Sequence, residues 1–302
     1  MMPNTTHRPR VSIGLPVYNG ERYIAETLSS LLAQVFQDFE LIISDNASDD
    51  RTEQICRRYA AEDSRIRYVR NQTNVGAPRN YRRAFELSSG EYFRWANSDD
   101  VFSPISIARC VEVLDQEPST VLAYPKTKLI DECGELISEY EDNLNLQQDR
   151  ASDRFIQLFA RLRKVNVIYG LMRSAVLKKT TLIGNFIGAD TTLLAELSLY
   201  GKFWEIPEFL FYRRMHPKAS SSYNSDELQE FYDPKSKGRF VFTHYRHFLA
   251  HYRSVARAPI GIQEKMRLGY FLARKAIWKR DVLASELVEG IRRKIRQTLA
   301  SF

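Results

Sequence analysis

A chain of 302 residues with 44% hydrophobic and 27% charged residues can bury one large core, or a core domain with a smaller appendage. The polar start from Met1 to Arg10 has no apolar stretch of the kind a secretory leader carries, and no apolar run is long enough to span a bilayer. Net charge is +7, but residues 235–302 alone hold 16 Lys and Arg against 4 Asp and Glu, which leaves the preceding body slightly acidic and points the tail at an anionic partner.

In chain order, Val11 to Leu15 reads as a strand stopped by Pro16, followed by the loop signal Val17-Tyr18-Asn19-Gly20. Ile24, Leu28, Leu31, Leu32 and Val35 recur at helical spacing. Phe39 to Ser44 is a second strand, closed by the acid-rich run Asp45 to Asp50, and Arg51 to Ala61 a second helix. Arg65 to Arg70 gives a third strand, Asn71 to Pro78 a loop, and Arg79 to Ser88 a third helix. This alternation predicts an α/β fold with a mostly parallel central sheet.

The fourth strand, Tyr92-Phe93-Arg94-Trp95, runs directly into Ala96-Asn97-Ser98-Asp99-Asp100. Open α/β sheets bind ligands outside the carboxyl ends of their strands, where these acids fall. Two adjacent carboxylates repel each other, and a hard divalent cation with oxygen ligands relieves the repulsion. The competing reading is a helix cap, because Asp99, Asp100 and Ser103-Pro104 precede the helical run from Ile105.

Beyond Glu117, Val121 to Tyr124 reads as a strand, and apolar segments flanking Asp131-Glu132-Cys133-Gly134 predict a hairpin. Residues 139–150 are polar and read as a flexible loop with room for acceptor contacts. Phe155 to Leu162 is helical in spacing, and Tyr169 to Arg173 leads as a strand into a helix from Ala175 to Lys179. A glycine-punctuated loop from Gly184 to Ala189 delivers Asp190 to the head of a helix ending at Gly201. Phe203 to Ile206 and Phe209 to Arg213 follow as strands, and His216 opens a polar stretch through Ser222. Phe240 to Tyr252 and Gln263 to Arg280 are helical patterns mixing aromatics with Arg and Lys. The change of character near Ser225 divides the chain into residues 1–225 and a basic, aromatic-rich helical extension over 226–302. Cys56, Cys110 and Cys133 are too scattered for a disulfide framework or a zinc site, so a reducing, cytoplasmic setting is expected.

Six motifs in order resemble the family 2 glycosyltransferases of the GT-A fold: Ser12 to Gly20, Glu40 to Asp49, Asn74-Val75-Gly76 with Ala77-Pro78-Arg79-Asn80, Gly90-Glu91-Tyr92 into Ser98-Asp99-Asp100, Gly188-Ala189-Asp190, and Tyr212 to Pro217. The resemblance covers Arg10 to Ser222 and implies a GT-A-like nucleotide-binding sandwich acting as an inverting, metal-dependent hexosyltransferase. It implies a nucleotide-diphosphate sugar donor, UDP-linked, and a glycan or lipid-linked hydroxyl acceptor in cell-surface polysaccharide synthesis. By the same resemblance Pro16, Tyr18, Asn19, Asp45, Arg79, Asn97, Ser98 and Asp99 hold the nucleotide. Mn²⁺ or Mg²⁺ would sit at Asp99 and Asp100 with His216 as a further ligand, and Asp190 is the general base. For Asp45 and Asp190 helix capping stands as the other reading, for Arg79 a solvated helix charge, and for His216 a loop histidine bonded to backbone.

The chain departs from the family pattern at Asn97 and at Ala189, where acids are usual. A rival reading is therefore a protein that binds nucleotide sugar without transferring it, and another a binding module centred on the basic tail. Nucleic acid is not expected, since no nucleic-acid motif accompanies the charge. The tail's two mixed aromatic and basic patterns suit the inner face of an anionic membrane; the alternative is packing on the catalytic domain or on a second copy in a homo-oligomer.

Overall fold

The computed structural model describes residues 8–236 and 240–300. The first half alternates as the pattern predicts: β1 (Val11–Val17), α1 (Ile24–Leu32), β2 (Phe39–Asp45), α2 (Thr52–Glu62), β3 (Ile66–Arg70), α3 (Ala77–Glu86) and β4 (Tyr92–Trp95). Next come β5 (Val101–Phe102), α4 (Ser106–Gln116), β6 (Thr120–Ile130), β7 (Leu136–Tyr140), α5 (Ala151–Arg161), β8 (Leu171–Arg173) and α6 (Ser174–Leu177). The chain then forms α7 (Ala189–Tyr200), β9 (Lys202–Arg214), α8 (Ser225–Tyr232), α9 (Thr243–Arg257), α10 (Ile262–Trp278) and α11 (Arg280–Ala300).

One mixed sheet runs in the order β3-β2-β1-β4-β8-β6-β9-β5, with β7 hydrogen-bonded to β6. Strands β1 to β4 are parallel, joined by helical crossovers. The second half departs from the mostly parallel expectation. β8 runs antiparallel to both β4 and β6, β7 folds back on β6 through the Asp131–Gly134 turn, and β5 is antiparallel to β9. Gly134 supplies the positive φ of 90° that turn requires. Pro16 does not stop β1, which continues to Val17; β4 ends opposite Gly14, so on that side no partner needs the missing N–H.

Hydrophobic packing covers both faces of the sheet. On one, Ile24, Leu28 and Leu31 of α1 and Ile107, Val111 and Leu114 of α4 meet Val11, Ile13 and Leu15. On the other, Phe93 and Trp95 pack with α5, α7, α9 and α10. From Thr192 to Leu199, α7 is buried all round, as a helix apolar on most faces must be. Val255, Ala258, Leu268 and Leu272, all beyond Ser225, belong to this same packing. Helices α9 and α10 of the 226–302 extension thus contribute side chains to the packing of the preceding domain. The 139–150 stretch is likewise anchored: Leu144 and Leu146 are fully buried, and Leu146 exchanges backbone hydrogen bonds with Phe203. Among the described residues no helix is long and apolar enough to cross a membrane.

His251 of α9 is buried edge-on against Phe159 at 4.9 Å, with its Nδ1 unpaired. Burial pushes its pKa down to about 3, so it is neutral in the fold, whereas in the unfolded chain it titrates near ~6.5. Its contribution to stability is thus present above the unfolded pKa and is lost as pH falls toward the folded one. Urea unfolding at pH 7 and pH 5 is expected to show wild type losing roughly 2 kcal/mol more than His251→Phe. Asp142 and Asp190, raised by burial, titrate in the opposite sense but cancel in the comparison. Equal pH dependence in the two proteins would contradict the assignment.

Candidate functional site

Strands β1, β2 and β4 end at one rim, and the residues just past their ends line an open cavity of about 450 Å³. Pro16, Val17 and Tyr18 form one side, with the Tyr18 ring half exposed. Asn46, Asn74 and Asn80 form the floor and are fixed by one another and by Asn71. Asn46 Nδ2 donates to Asn74 Oδ1 at 2.8 Å, and Asn71 Nδ2 donates to Asn46 Oδ1 at 2.9 Å and to Asn80 Oδ1 at 3.0 Å. Asn80 also clamps Ser44 of β2, accepting from its hydroxyl at 2.7 Å. The opposite wall is Lys218, Ala219, Ser220 and Tyr223, with Glu227, Glu230 and Phe231 of α8. A capping box between Asn224 and Glu227 starts that helix.

Asn97, Ser98 and Asp99 line the cavity. Helix capping is excluded for Asp99 and Asp100, because β5 intervenes and α4 begins only at Ser106. Asp99 Oδ2 meets His216 Nε2 at 2.9 Å, with the carboxylate a quarter exposed. The expectation of a second ligand at Asp100 meets a different arrangement. Asp100 is buried, its Oδ1 accepts from the Arg214 N–H at 2.9 Å, and its Oδ2 accepts from Asn97 Nδ2 at 3.2 Å. Burial and the neighbouring Asp99 charge hold its pKa well above the usual carboxylate range.

Asp99 and His216 thus present an oxygen and a nitrogen donor together at the cavity edge. Mg²⁺ and similar ions are commonly held by one or two carboxylates completed by substrate phosphates, rather than by a protein cage. Among the described residues no group of three His, Cys, Asp or Glu is gathered for a metal. The donor set fits a divalent ion shared with a phosphate ligand.

Asn97 earns its place through both amide atoms: Nδ2 donates to Tyr169 Oη at 2.7 Å and to Asp100, and Oδ1 accepts from the Tyr81 hydroxyl. An acid there would lose the donor and set a third carboxylate against Asp100. Ala189 lies in the hydrophobic core, where an acid would be buried without a partner.

Asp190 stands half-buried in the first turn of α7, its Oδ1 accepting from Thr191 N at 2.7 Å, so it does support the helix start. Burial raises its pKa, opposed by the charges of His247 and Arg213. Gly188, at φ 83°, turns the chain into the helix, and its carbonyl accepts from His247 Nε2 at 2.8 Å. Asp190 does not line the cavity, and neither do Asn19, Asp45, Arg79 or His216. Asn19 hydrogen-bonds the 48–49 loop, and Arg79 is exposed on α3. Asp45 is fully buried, its oxygens accepting from Ser48 N at 2.8 Å and Tyr68 Oη at 2.6 Å. It does not cap α2, whose N-cap position is Arg51; Asp50 Oδ1 accepts from Thr52 N at 2.9 Å just ahead of that helix.

Sequence reasoning missed the asparagine floor, Lys218, the α8 wall and Arg214. The run of asparagines through 46, 71, 74 and 80 was the available signal for the first. Arg214 is buried and donates to the carbonyls of Asp99, Asp131 and Glu132 at 3.0, 3.1 and 3.2 Å, and to Glu26 Oε2 at 2.6 Å. It is the fastener of the Asp99 loop.

A family model described as Glycosyl transferase family 2 matches residues 12–167. An uncharacterised glycosyltransferase of Rickettsia typhi is 28% identical over 242 residues, covering 76% of this chain and 71% of that protein. S. aureus TarS 1–349 in complex with UDP-GlcNAc superposes with a TM-score of 0.65 at 19% identity, over 90% of this chain and 74% of that one. The mannosyltransferase PcManGT from Pyrobaculum calidifontis, in complex with GDP-Man and Mn²⁺, superposes with a TM-score of 0.51 at 16% identity, over 97% and 89%. The fold is GT-A-like.

Proposed function

The chain belongs to glycosyl transferase family 2, a family of sugar-transferring enzymes, and from that premise we propose an inverting transfer from a UDP-linked sugar to a hydroxyl of a glycan or lipid-linked acceptor. The observation that carries the reading is the strand-end cavity, which joins an aromatic face, an amide floor, a lysine and the Asp99 carboxylate, with His216 paired to Asp99 just behind the lining. Tyr18 offers its ring to the base, Asn46 and Asn74 offer amide N–H groups to the base edge, and Asn97 offers the remaining lone pair of Oδ1 to a ribose hydroxyl. Lys218, which lines the cavity where Arg79 does not, supplies a cation to the diphosphate. Asp45 acts indirectly, by fixing the turn beneath the base.

Asp99 and His216 would hold Mn²⁺ or Mg²⁺, with Asp100 bracing the loop from behind; when bound, the ion supplies positive charge opposite the leaving diphosphate. Asp190 takes the acceptor's hydroxyl proton as the new C–O bond forms at the anomeric carbon. The bond from that carbon to the diphosphate oxygen breaks with its electron pair, releasing the nucleoside diphosphate. Attack from the face opposite the leaving group inverts the anomeric centre.

Calorimetric titration of UDP tests the donor half of this reading. Wild type is expected to bind more tightly with Mn²⁺ than with a chelator, and Asp99→Asn to lose on the order of 10- to 100-fold of the Mn²⁺-dependent affinity. The same affinity with and without Mn²⁺ would contradict it.

A further inference from the structure

Of the 19 large hydrophobic side chains exposed among the described residues, 14 lie between Phe242 and Ile295. They form stripes. On α10, Ile262, Met266, Tyr270 and Ile277 recur near helical spacing and are each more than half exposed, while Leu268 and Leu272 on the other side are fully buried against the body. On α11, Leu287, Val288, Ile291 and Ile295 repeat the pattern. The helix is seated by Glu286, which accepts from the His244 and Tyr245 N–H groups at 3.1 and 3.2 Å at the start of α9.

Cations flank this apolar surface. Arg274 lies over the Tyr270 ring at 5.8 Å, and Lys275 lies over Phe271 and Trp278 at 5.6 and 5.9 Å. Trp278 is 79% exposed, beside Lys279 and Arg280. Rings with an apolar body and long cationic stems that reach outward are the composition of a helix lying in a membrane interface. Charge decides among occupants. A second copy would press one surplus of +12 over residues 235–302 against another, and a nucleic acid would satisfy the cations but leave the apolar stripes in water.

We propose that the outer faces of α10 and α11 dock on an anionic phospholipid bilayer, with the apolar stripes entering the headgroup boundary and Arg274, Lys275 and Lys279 meeting lipid phosphates. The proposal stands apart from the sugar chemistry, because none of these residues lines the donor cavity.

Flotation of the full chain with phosphatidylcholine vesicles, with and without phosphatidylglycerol, tests it at low and high salt. Binding is expected on the anionic vesicles and is expected to weaken with salt. The variant Arg274→Gln, Lys275→Gln, Lys279→Gln should bind roughly 100-fold more weakly. The variant Met266→Ser, Tyr270→Ser, Trp278→Ser should also fall away, and vesicles should shift the wild-type tryptophan emission to the blue but not that of Trp278→Phe. Five of the six positions are exposed and Lys275 is half-buried with its ammonium over Phe271 and Trp278, so circular dichroism and thermal midpoints should match wild type. No flotation of wild type at low salt would overturn the proposal, as would binding indifferent to the three cations. Concentration-dependent dimerisation that disappears in the serine variant, without vesicle binding, would assign the face to a second copy instead.

Discussion

Asp190→Asn is expected to slow sugar transfer by a factor on the order of 100 to 10,000 while donor affinity stays as in wild type. The carboxylate sits on the first turn of α7, behind a glycine that turns the chain, and it lies outside the donor cavity. Donor binding therefore has no reason to notice the change, and proton removal has every reason to. The variant keeps the oxygen that accepts from Thr191 N, so the first turn of α7 survives and the loss is chemical. Because burial raises the Asp190 pKa, the base is lost on acidification earlier than an ordinary carboxylate would be. The acid limb of kcat/KM in wild type should accordingly lie above the usual carboxylate range, and the residual activity of Asp190→Asn should lack it. Near-normal turnover in the variant would remove Asp190 from the mechanism.

Arg214→Met is expected to destabilise the fold by roughly 3–5 kcal/mol, read by urea unfolding. The substitution keeps an unbranched apolar stem but leaves the carbonyls of Asp99, Asp131 and Glu132 without their charged donor. Arg214→Lys should recover little, since one ammonium cannot span the positions a planar guanidinium reaches. The Asp99 loop would lose its fastener in both variants, so Mn²⁺-dependent UDP affinity should fall alongside stability. A loss below about 1 kcal/mol would show that water replaces the guanidinium at little cost.

The fold was most legible where it is local. The repeating strand and helix periods through Trp95 fixed the parallel half of the sheet, and the Asp-x-x-Gly signal found the β6–β7 hairpin. The mixed half, in which β6 and β9 run parallel while β8, β7 and β5 pair antiparallel, was not legible, because β8 is three residues long and its partners β4 and β6 are chosen by tertiary packing. Leu144 and Leu146 hid in a polar stretch as two isolated apolar anchors. Among site residues, sequence order located Pro16, Tyr18, Asn97, Ser98 and Asp99 at the cavity. It could not distinguish Asp99 from Asp100, since adjacent residues on a chain leaving a strand point opposite ways and only Asp99 faces the cavity. Arg213 and Arg214 posed the same ambiguity. Arg214 turns inward to the Asp99 loop, while Arg213 Nη1 donates to Asn166 Oδ1 at 2.7 Å. Lys218 and the α8 wall reach the site from a segment whose sequence carries only a capping box, and that signal says where a helix starts but not what it covers.

The central claim, inverting transfer, is tested most directly by the anomeric configuration of the product. Proton NMR of material made by the full chain from an α-configured UDP-sugar, with Mn²⁺ and a hydroxyl acceptor, should show a new β-glycosidic linkage. A new α-linkage, or donor consumed with no glycosidic bond formed, would contradict it.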